Sequence, residues 1–217
     1  MKPLTDLPSR PPIALPGFRG IERHYDTKLQ TFVARIAVGE SYVTRHDETI
    51  TTVLGSCICA CIRDPVTGIG GMNHFMLPGG TSSVHSQATI VEQRFGVAAM
   101  ESLINALLAN GAQKTRLEVK VFGGAELLGG GGDRIGAQNA SFVRQFLARE
   151  DLHIAADDCG GANPRRVAYT PKTGRVLVKY LPIAEARTDL DREATFARDI
   201  ENRPPEGEIE IFRNGPG

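Results

Sequence analysis

The sequence predicts an α+β fold: a layered α/β/β sandwich of mixed, mainly antiparallel sheets, with two main helices covering one face. Three observations predict it. Strand-like segments outnumber helical ones, several of them are linked by hairpin turns, and the steady βαβ alternation of a doubly wound fold is missing. With 217 residues, of which 41% are hydrophobic, the chain can bury one substantial core. We therefore expect one domain with loose ends.

Strands are predicted where apolar residues alternate or run together between turn residues. The segments are 32–40, 57–63, 69–77 and 116–122, followed by a hairpin made of 165–170 and 175–180. The hairpin is indicated by Pro171-Lys-Thr-Gly174, because proline and glycine favour a tight turn.

Two helices complete the predicted sandwich. Over 92–109, apolar residues recur with a period near 3.6, and Asn110-Gly111 supplies a stop signal. A second helix is predicted over 139–149, after a glycine run at 129–132 that we expect to be a loop. Each helix must lay its apolar stripe on a sheet.

The chain divides into three parts in this interpretation. Residues 1–30 hold five of the thirteen prolines and show no periodicity, so they are expected to form an irregular N-terminal arm. Residues 31–183 form the single folded domain. Residues 184–217 are highly charged, and we predict a peripheral C-terminal tail in which 187–202 could form a surface helix.

Charge and hydropathy exclude several classes of function. Lys plus Arg and Asp plus Glu both number 25, so no broad attraction to nucleic acid is expected. No apolar run approaches the roughly 18 residues of a membrane span, so we expect no membrane insertion. Prolines interrupt the N-terminus where a signal peptide needs an apolar core. The sequence predicts a cytoplasmic protein.

Three of the four cysteines lie in the stretch TTVLGSCICACI, at positions 57, 59 and 61. On a strand these side chains share one face, and such neighbours are poorly placed for a disulfide. Cys57 follows Gly55 and Ser56, whose tight turn could expose the thiol and point backbone N–H groups towards one point. Cys57 is therefore the candidate nucleophile, and the N–H groups of Ser56, Gly55 and Cys57 itself are candidate oxyanion donors.

A nucleophilic thiol needs a base, and His74 lies on the next predicted strand. If Cys57 faces His74 directly, paired residue numbers add up to 131, and the hairpin loop is 64–67. A slip of one residue would send the imidazole to the opposite face. We predict this register, or a bulge with the same result.

Other interpretations of these residues compete with catalysis. Buried cysteines are common in cores, and we assign Cys59 and Cys61 to packing. A zinc site is disfavoured because C-x-C-x-C differs from the usual C-x2-C spacing and no paired histidines follow. We therefore expect no metal and no cofactor.

The segments Thr51–Cys57 and Gly70–Pro78 together resemble the CheD chemoreceptor glutamine deamidases. Further motifs of this resemblance follow in the same order: Arg94-Phe-Gly96, Ala99-Met100-Glu101, Val121–Ala125, Ile135-Gly136 with Asn139, and Thr173-Gly174. The resemblance covers about residues 30–182 and makes 31–183 a catalytic CheD-like domain. It implies hydrolysis of glutamine side-chain amides on methyl-accepting chemotaxis receptors, with Cys57 as nucleophile, His74 as general base and acid, and Thr51 orienting the imidazole.

The resemblance also implies partners and leaves alternatives open. Receptors would be the protein substrate, and a CheC-type phosphatase would be a binding partner. One alternative is an adaptor that binds receptor or phosphatase with little catalysis. Another is a cysteine hydrolase acting on a different amide or ester, including a receptor methyl ester.

Overall fold

A computed structural model describes residues 10–77, 87–127 and 135–201. The strands are β1 (Arg23–Asp26), β2 (Thr31–Arg35), β3 (Ser41–Thr44), β4 (Glu48–Leu54), β5 (Ile58–Arg63), β6 (Gly70–Asn73), β7 (Glu118–Gly123), β8 (Ile154–Cys159), β9 (Arg165–Thr170) and β10 (Arg175–Tyr180). The helices are α1 (Gln87–Ala109), α2 (Ile135–Arg149) and α3 (Ile183–Glu201), with a short 3-10 turn at Lys114–Arg116. The predicted glycine loop at 129–132, residues 1–9 of the arm and the tail beyond 201 lie outside the described residues.

The strands form two five-stranded sheets. One has the order β1-β2-β4-β9-β10 and the other β3-β6-β5-β7-β8. The pairs β2–β4 and β7–β8 are parallel, and the other strand pairs are antiparallel. The predicted mixed, mainly antiparallel architecture is confirmed.

Two cores hold three layers together. Helices α1 and α2 cover the outer face of the second sheet, burying residues such as Leu103 and Val143 against Ile58, Ala60 and Ile62 of β5. The opposite face of β5 packs between the sheets, so the alternation predicted for the CICACI stretch is confirmed. The predicted α/β/β layering, with two main helices on one face, is therefore present.

Several element boundaries differ from the prediction. Only the first part of the predicted strand 32–40 is a strand: β2 ends at Arg35, the chain turns at Gly39, with φ of 84°, and β3 starts at Ser41 in the other sheet. Part of the predicted irregular arm forms β1, which pairs with β2 at the sheet edge. Hairpin β9–β10 has the predicted turn, with Thr170 opposite Arg175.

Much of the predicted tail is helix α3, and this helix is not peripheral. Ala186, Glu193 and Ile200 on one side of it are buried. Its N-terminal half packs on Val53 of β4 and on Leu181. Among the described helices, none combines the length and apolar character needed to cross a membrane. Helix α3 covers the residues that connect β4 to β5.

Candidate active site

Cys57 lies where the chain crosses from one sheet to the other. Strand β4 belongs to the first sheet and β5 to the second, and residues 55–57 connect them. Three hydrogen bonds fix this connection: Gly124 N–H donates to the Cys57 carbonyl (2.7 Å), Ala125 N–H to the Gly55 carbonyl (2.9 Å), and the Asn139 side chain to the Ser56 carbonyl (2.8 Å). The nucleophile candidate therefore has a rigid backbone.

Gly123 makes this bracing possible. Its φ is +118°, and a Cβ at this position would collide with the carbonyl of Cys57. A residue with a side chain would be strained in this conformation and would push the backbones apart. The glycine pair that ends β7 therefore allows the backbones of β7 and Cys57 to approach closely.

The hairpin β5–β6 places His74 on the same face as Cys57. Cys61 pairs with Met72 and Ile58 with Phe75, so paired residue numbers add up to 133. The predicted value of 131 is wrong by two residues, and the turn shifts correspondingly. A shift of two preserves the face, so His74 becomes a diagonal neighbour of Cys57 instead of its direct partner.

The imidazole of His74 is buried, and its orientation is fixed. Thr52 Oγ1 lies 2.8 Å from Nδ1 and donates its own proton to the carbonyl of Ile36 at 2.8 Å. Because a hydroxyl has one proton to donate, Thr52 accepts the hydrogen bond from a protonated Nδ1. The lone pair then resides on Nε2, the nitrogen that can take a proton.

The role predicted for Thr51 is contradicted by these contacts. Thr51 Oγ1 donates to the carbonyl of Val167 at 3.0 Å, whereas Thr52 contacts the imidazole. Adjacent strand residues point to opposite faces, and the pleat of β4 turns Thr52 towards His74. The hydroxyl that orients the ring therefore belongs to the next residue along the chain.

Glu193 of α3 completes the cluster, and sequence reasoning missed it. The sulfur of Cys57, a ring nitrogen of His74 and a carboxylate oxygen of Glu193 all lie within 4.8 Å of one another. Glu193 Oε1 accepts a hydrogen bond from Gly55 N–H (2.9 Å) and lies 3.3 Å from His74 Nε2, without an aligned hydrogen bond to that nitrogen. Of the predicted oxyanion donors, the N–H of Gly55 thus already binds a carboxylate oxygen, and the N–H groups of Ser56 and Cys57 stay predictions.

A signal for Glu193 was present in the sequence. The inward positions of α3 follow helical spacing: Ala186, Leu190, Glu193, Ala197 and Ile200. A glutamate within an apolar stripe is unusual because burial of a carboxylate costs free energy unless it finds a partner. Such a residue marks a polar contact beneath the helix.

The site disfavours the thiolate in this arrangement. Cys57 is fully buried, and this burial, together with the adjacent carboxylate of Glu193, raises the pKa of its thiol well above the usual value. Both causes penalise a negative charge on sulfur. Cys57 is therefore held as a neutral thiol while α3 is in place.

Cys59 and Cys61 pack between the sheets as predicted. Burial raises the pKa of the Cys59 thiol as well. Of the three neighbouring cysteines, only Cys57 therefore contributes its sulfur to the cluster with His74 and Glu193. Cysteine, histidine and glutamate are also zinc ligands, so the cluster of Cys57, His74 and Glu193 could chemically hold a metal ion.

Comparison with known proteins gives a consistent result. The family model described as CheD chemotactic sensory transduction matches residues 76–180. A protein of Methylobacillus flagellatus named probable chemoreceptor glutamine deamidase CheD is 44% identical over 190 residues, covering 87% of this chain and 94% of the relative. Proteins with the same name from Janthinobacterium sp. (45% identical, 87% and 93% covered) and Hahella chejuensis (41% identical, 94% and 97% covered) are also similar.

Proposed function

The chain belongs to the CheD family, and we propose that it hydrolyses the side-chain amide of specific glutamines on methyl-accepting chemotaxis receptors, yielding glutamate and ammonia. The observation that carries this proposal is the cluster of the Cys57 thiol and the His74 imidazole, whose Nδ1 is held by Thr52. A thiol beside an oriented imidazole is the arrangement that acyl transfer requires. The names of the relatives supply the substrate.

In the first step, His74 Nε2 accepts the proton of the Cys57 thiol, and the sulfur attacks the amide carbon of the glutamine. The N–H of Gly55 stabilises the negative charge that develops on the amide oxygen. His74 then gives the proton to the departing nitrogen, the C–N bond breaks, and ammonia leaves a thioester on Cys57.

In the second step, His74 takes a proton from water, and the resulting hydroxide attacks the thioester carbon. The C–S bond breaks, the sulfur recovers a proton from the imidazolium, and glutamate is released. Thr52 stabilises the imidazolium only through a neutral hydroxyl, so the activation is weaker than that provided by a carboxylate. Solvent water is the only co-reactant that these two steps need.

Mass spectrometry of a receptor cytoplasmic fragment tests the proposal. Incubation with the protein should raise the mass of particular glutamine-containing peptides by about 1 Da. Cys57→Ala should abolish the change, while Cys59→Ala, which removes a neighbouring thiol on β5, should retain it. Addition of a chelator should leave the rate unchanged.

The other possible outcomes would contradict the residue assignment or indicate a different function. Persistent conversion with Cys57→Ala would refute the nucleophile assignment. Loss of a receptor methyl ester in place of an amide would identify an esterase. Receptor binding without any mass change would identify an adaptor.

A CheC-type phosphatase is a binding partner in addition to the receptor, which co-purification of the two proteins tests. The protein acts in the cytoplasm, and its four free thiols fit a reducing compartment.

A further inference from the structure

Glu193 is relevant to substrate binding because of the chemistry of its side chain. A glutamate side chain is the product of glutamine deamidation, and this one lies within the catalytic cluster. Its Oε1 accepts the Gly55 N–H and lies near His74 Nε2. In the proposed mechanism, Gly55 N–H binds the carbonyl oxygen and His74 Nε2 faces the leaving nitrogen, and a single carboxylate oxygen of Glu193 lies near both of these groups.

We propose that α3 occupies the substrate-binding site as a built-in product mimic, and that the surface beneath α3 is where a helical segment carrying the target glutamine docks. This inference rests on the proposed function. Glu193 lies well inside α3, with helix on both sides of it. The site therefore accepts a side chain presented from the middle of a helix.

The contacts of α3 surround both catalytic residues. Leu190 and Glu193 approach Gly55 so closely that a Cβ there would collide with the leucine and lie 2.8 Å from Glu193 Oε2. Further along, the ring of Phe196 lies against Gly39, whose N–H binds the carbonyl of His74 at 2.8 Å. One helix thus spans the site from the nucleophile turn to the base.

The covered site requires α3 to move before a protein substrate can react. Cys57 has no exposed surface, and a glutamine on another chain cannot reach its sulfur. Helix α3 is held by a small apolar cluster around Val53, by Phe196 and Ala197 further along, by the Gly55–Glu193 hydrogen bond, and by an ion pair between Arg35 and Asp189 (2.7 Å) with the arginine half exposed. A cavity of about 210 Å³ lies beside Glu193, so the packing under this part of the helix is incomplete.

The sharpest test converts the mimic into a substrate. In Glu193→Gln, the introduced amide lies within reach of Cys57, and the enzyme should deamidate itself. The thiolate attacks the amide carbon, ammonia leaves with a proton from His74, and water hydrolyses the thioester to restore glutamate at position 193. Peptide mass spectrometry should show a mass about 1 Da above that of the encoded peptide.

Two controls separate self-catalysis from spontaneous deamidation. Glu193→Gln combined with Cys57→Ala should keep the encoded glutamine. Gln145, exposed on α2, should remain a glutamine in every variant and serves as the internal reference. The rate constant of the conversion should be independent of protein concentration, because the Cys57 thiol and the amide at position 193 lie in one chain.

The outcomes distinguish this inference from the proposed function. If position 193 stays a glutamine while the same variant deamidates a receptor fragment, the product-mimic inference is overturned and the proposed function stands. If neither the variant nor the wild-type protein deamidates the fragment, the proposed function fails as well.

A second variant keeps the inference testable if Glu193→Gln is poorly folded. Glu193→Ala removes the mimic and should raise the rate of receptor deamidation several-fold over wild type. Asp191→Ala removes an exposed carboxylate from the same helix and should leave the rate unchanged. A folded Glu193→Ala protein with a lower rate than wild type would mean that Glu193 assists catalysis, and would overturn the inference.

Discussion

The threonine pair within β4 shows how one residue decides the orientation of the His74 imidazole, the proposed base. Thr51 and Thr52 have the same chemistry, yet only Thr52 reaches His74 Nδ1. The resemblance of the sequence points to Thr51, six residues before the cysteine. The sequence alone cannot distinguish the two, because the face of each hydroxyl depends on how β4 pairs with its neighbours.

Substituting each threonine by valine tests this assignment. Thr52→Val removes a neutral hydrogen bond worth about 1 kcal/mol and should lower kcat about fivefold. Thr51→Val removes only the bond to the Val167 carbonyl and should retain most of the activity. Steady-state kinetics with a receptor fragment measure both. A loss confined to Thr51→Val would restore Thr51 as the orienting residue.

The Cys57 thiol should show its raised pKa in its rate of alkylation. Because the pKa lies well above the usual value, the thiolate fraction at a given lower pH falls about tenfold for each unit of the rise. Iodoacetamide should therefore modify wild-type Cys57 slowly through neutral pH. Glu193→Ala should shift the pH–rate profile to lower pH, because a repelling charge is lost.

Peptide mapping after timed quenching measures this profile for each cysteine separately. Cys59, buried between the sheets, should stay unmodified in both proteins. Wild-type Cys57 reacting at neutral pH as fast as it does in denaturant would contradict the closed site.

At the scale of elements, the β5–β6 hairpin explains both the success and the error of the register prediction. Same-face placement of Cys57 and His74 was predicted correctly, because it depends only on parity. The register itself was displaced by two residues, because Asp64 closes the turn: its N–H bonds the Ile69 carbonyl (2.8 Å) and its Oδ1 accepts the N–H of Val66 (2.9 Å). Arg116, which forms an ion pair with Asp64, lies in a distant segment of the chain, so local sequence patterns do not reveal this contact.

Asp64→Ala tests the contribution of this turn to stability. Asp64 is buried and accepts three hydrogen bonds from Arg116, which, as the largest cause, hold the pKa of the carboxyl well below its ordinary value. Removing the carboxylate should lower the free energy of unfolding by about 3 kcal/mol. Urea denaturation near neutral pH measures this difference.

The pH dependence of that difference has a definite sign. A depressed carboxyl pKa stabilises the fold above the pKa of the unfolded state, about 4, and this contribution is lost as pH falls towards the folded-state value. The gap between wild type and Asp64→Ala should therefore shrink in acid. Asp47→Ala, at an exposed aspartate, should have little effect at any pH. A gap that stays constant down to acid pH would contradict the role of the ionised carboxylate.

At the scale of the whole molecule, the sandwich, its two covering helices and the proximity of Cys57 and His74 could be predicted, because each depends on local periodicity or on one hairpin. Glu193 could not be placed, since its bond to Gly55 joins residues 138 positions apart. The predicted strand 32–40 failed for a related reason: β2 ends at Arg35, and the chain then crosses to the other sheet, where β3 starts at Ser41. Only the assembled molecule brings the β4–β5 crossing, β6 and α3 to one point.

Release of ammonia from a receptor fragment tests most directly whether the cluster of Cys57 and His74 is a deamidase site. Wild-type protein should liberate one ammonia for each glutamine converted to glutamate, and folded Cys57→Ala protein should liberate none. Ammonia release at the wild-type rate from Cys57→Ala would contradict catalysis by the thiol and imidazole that the fold brings together.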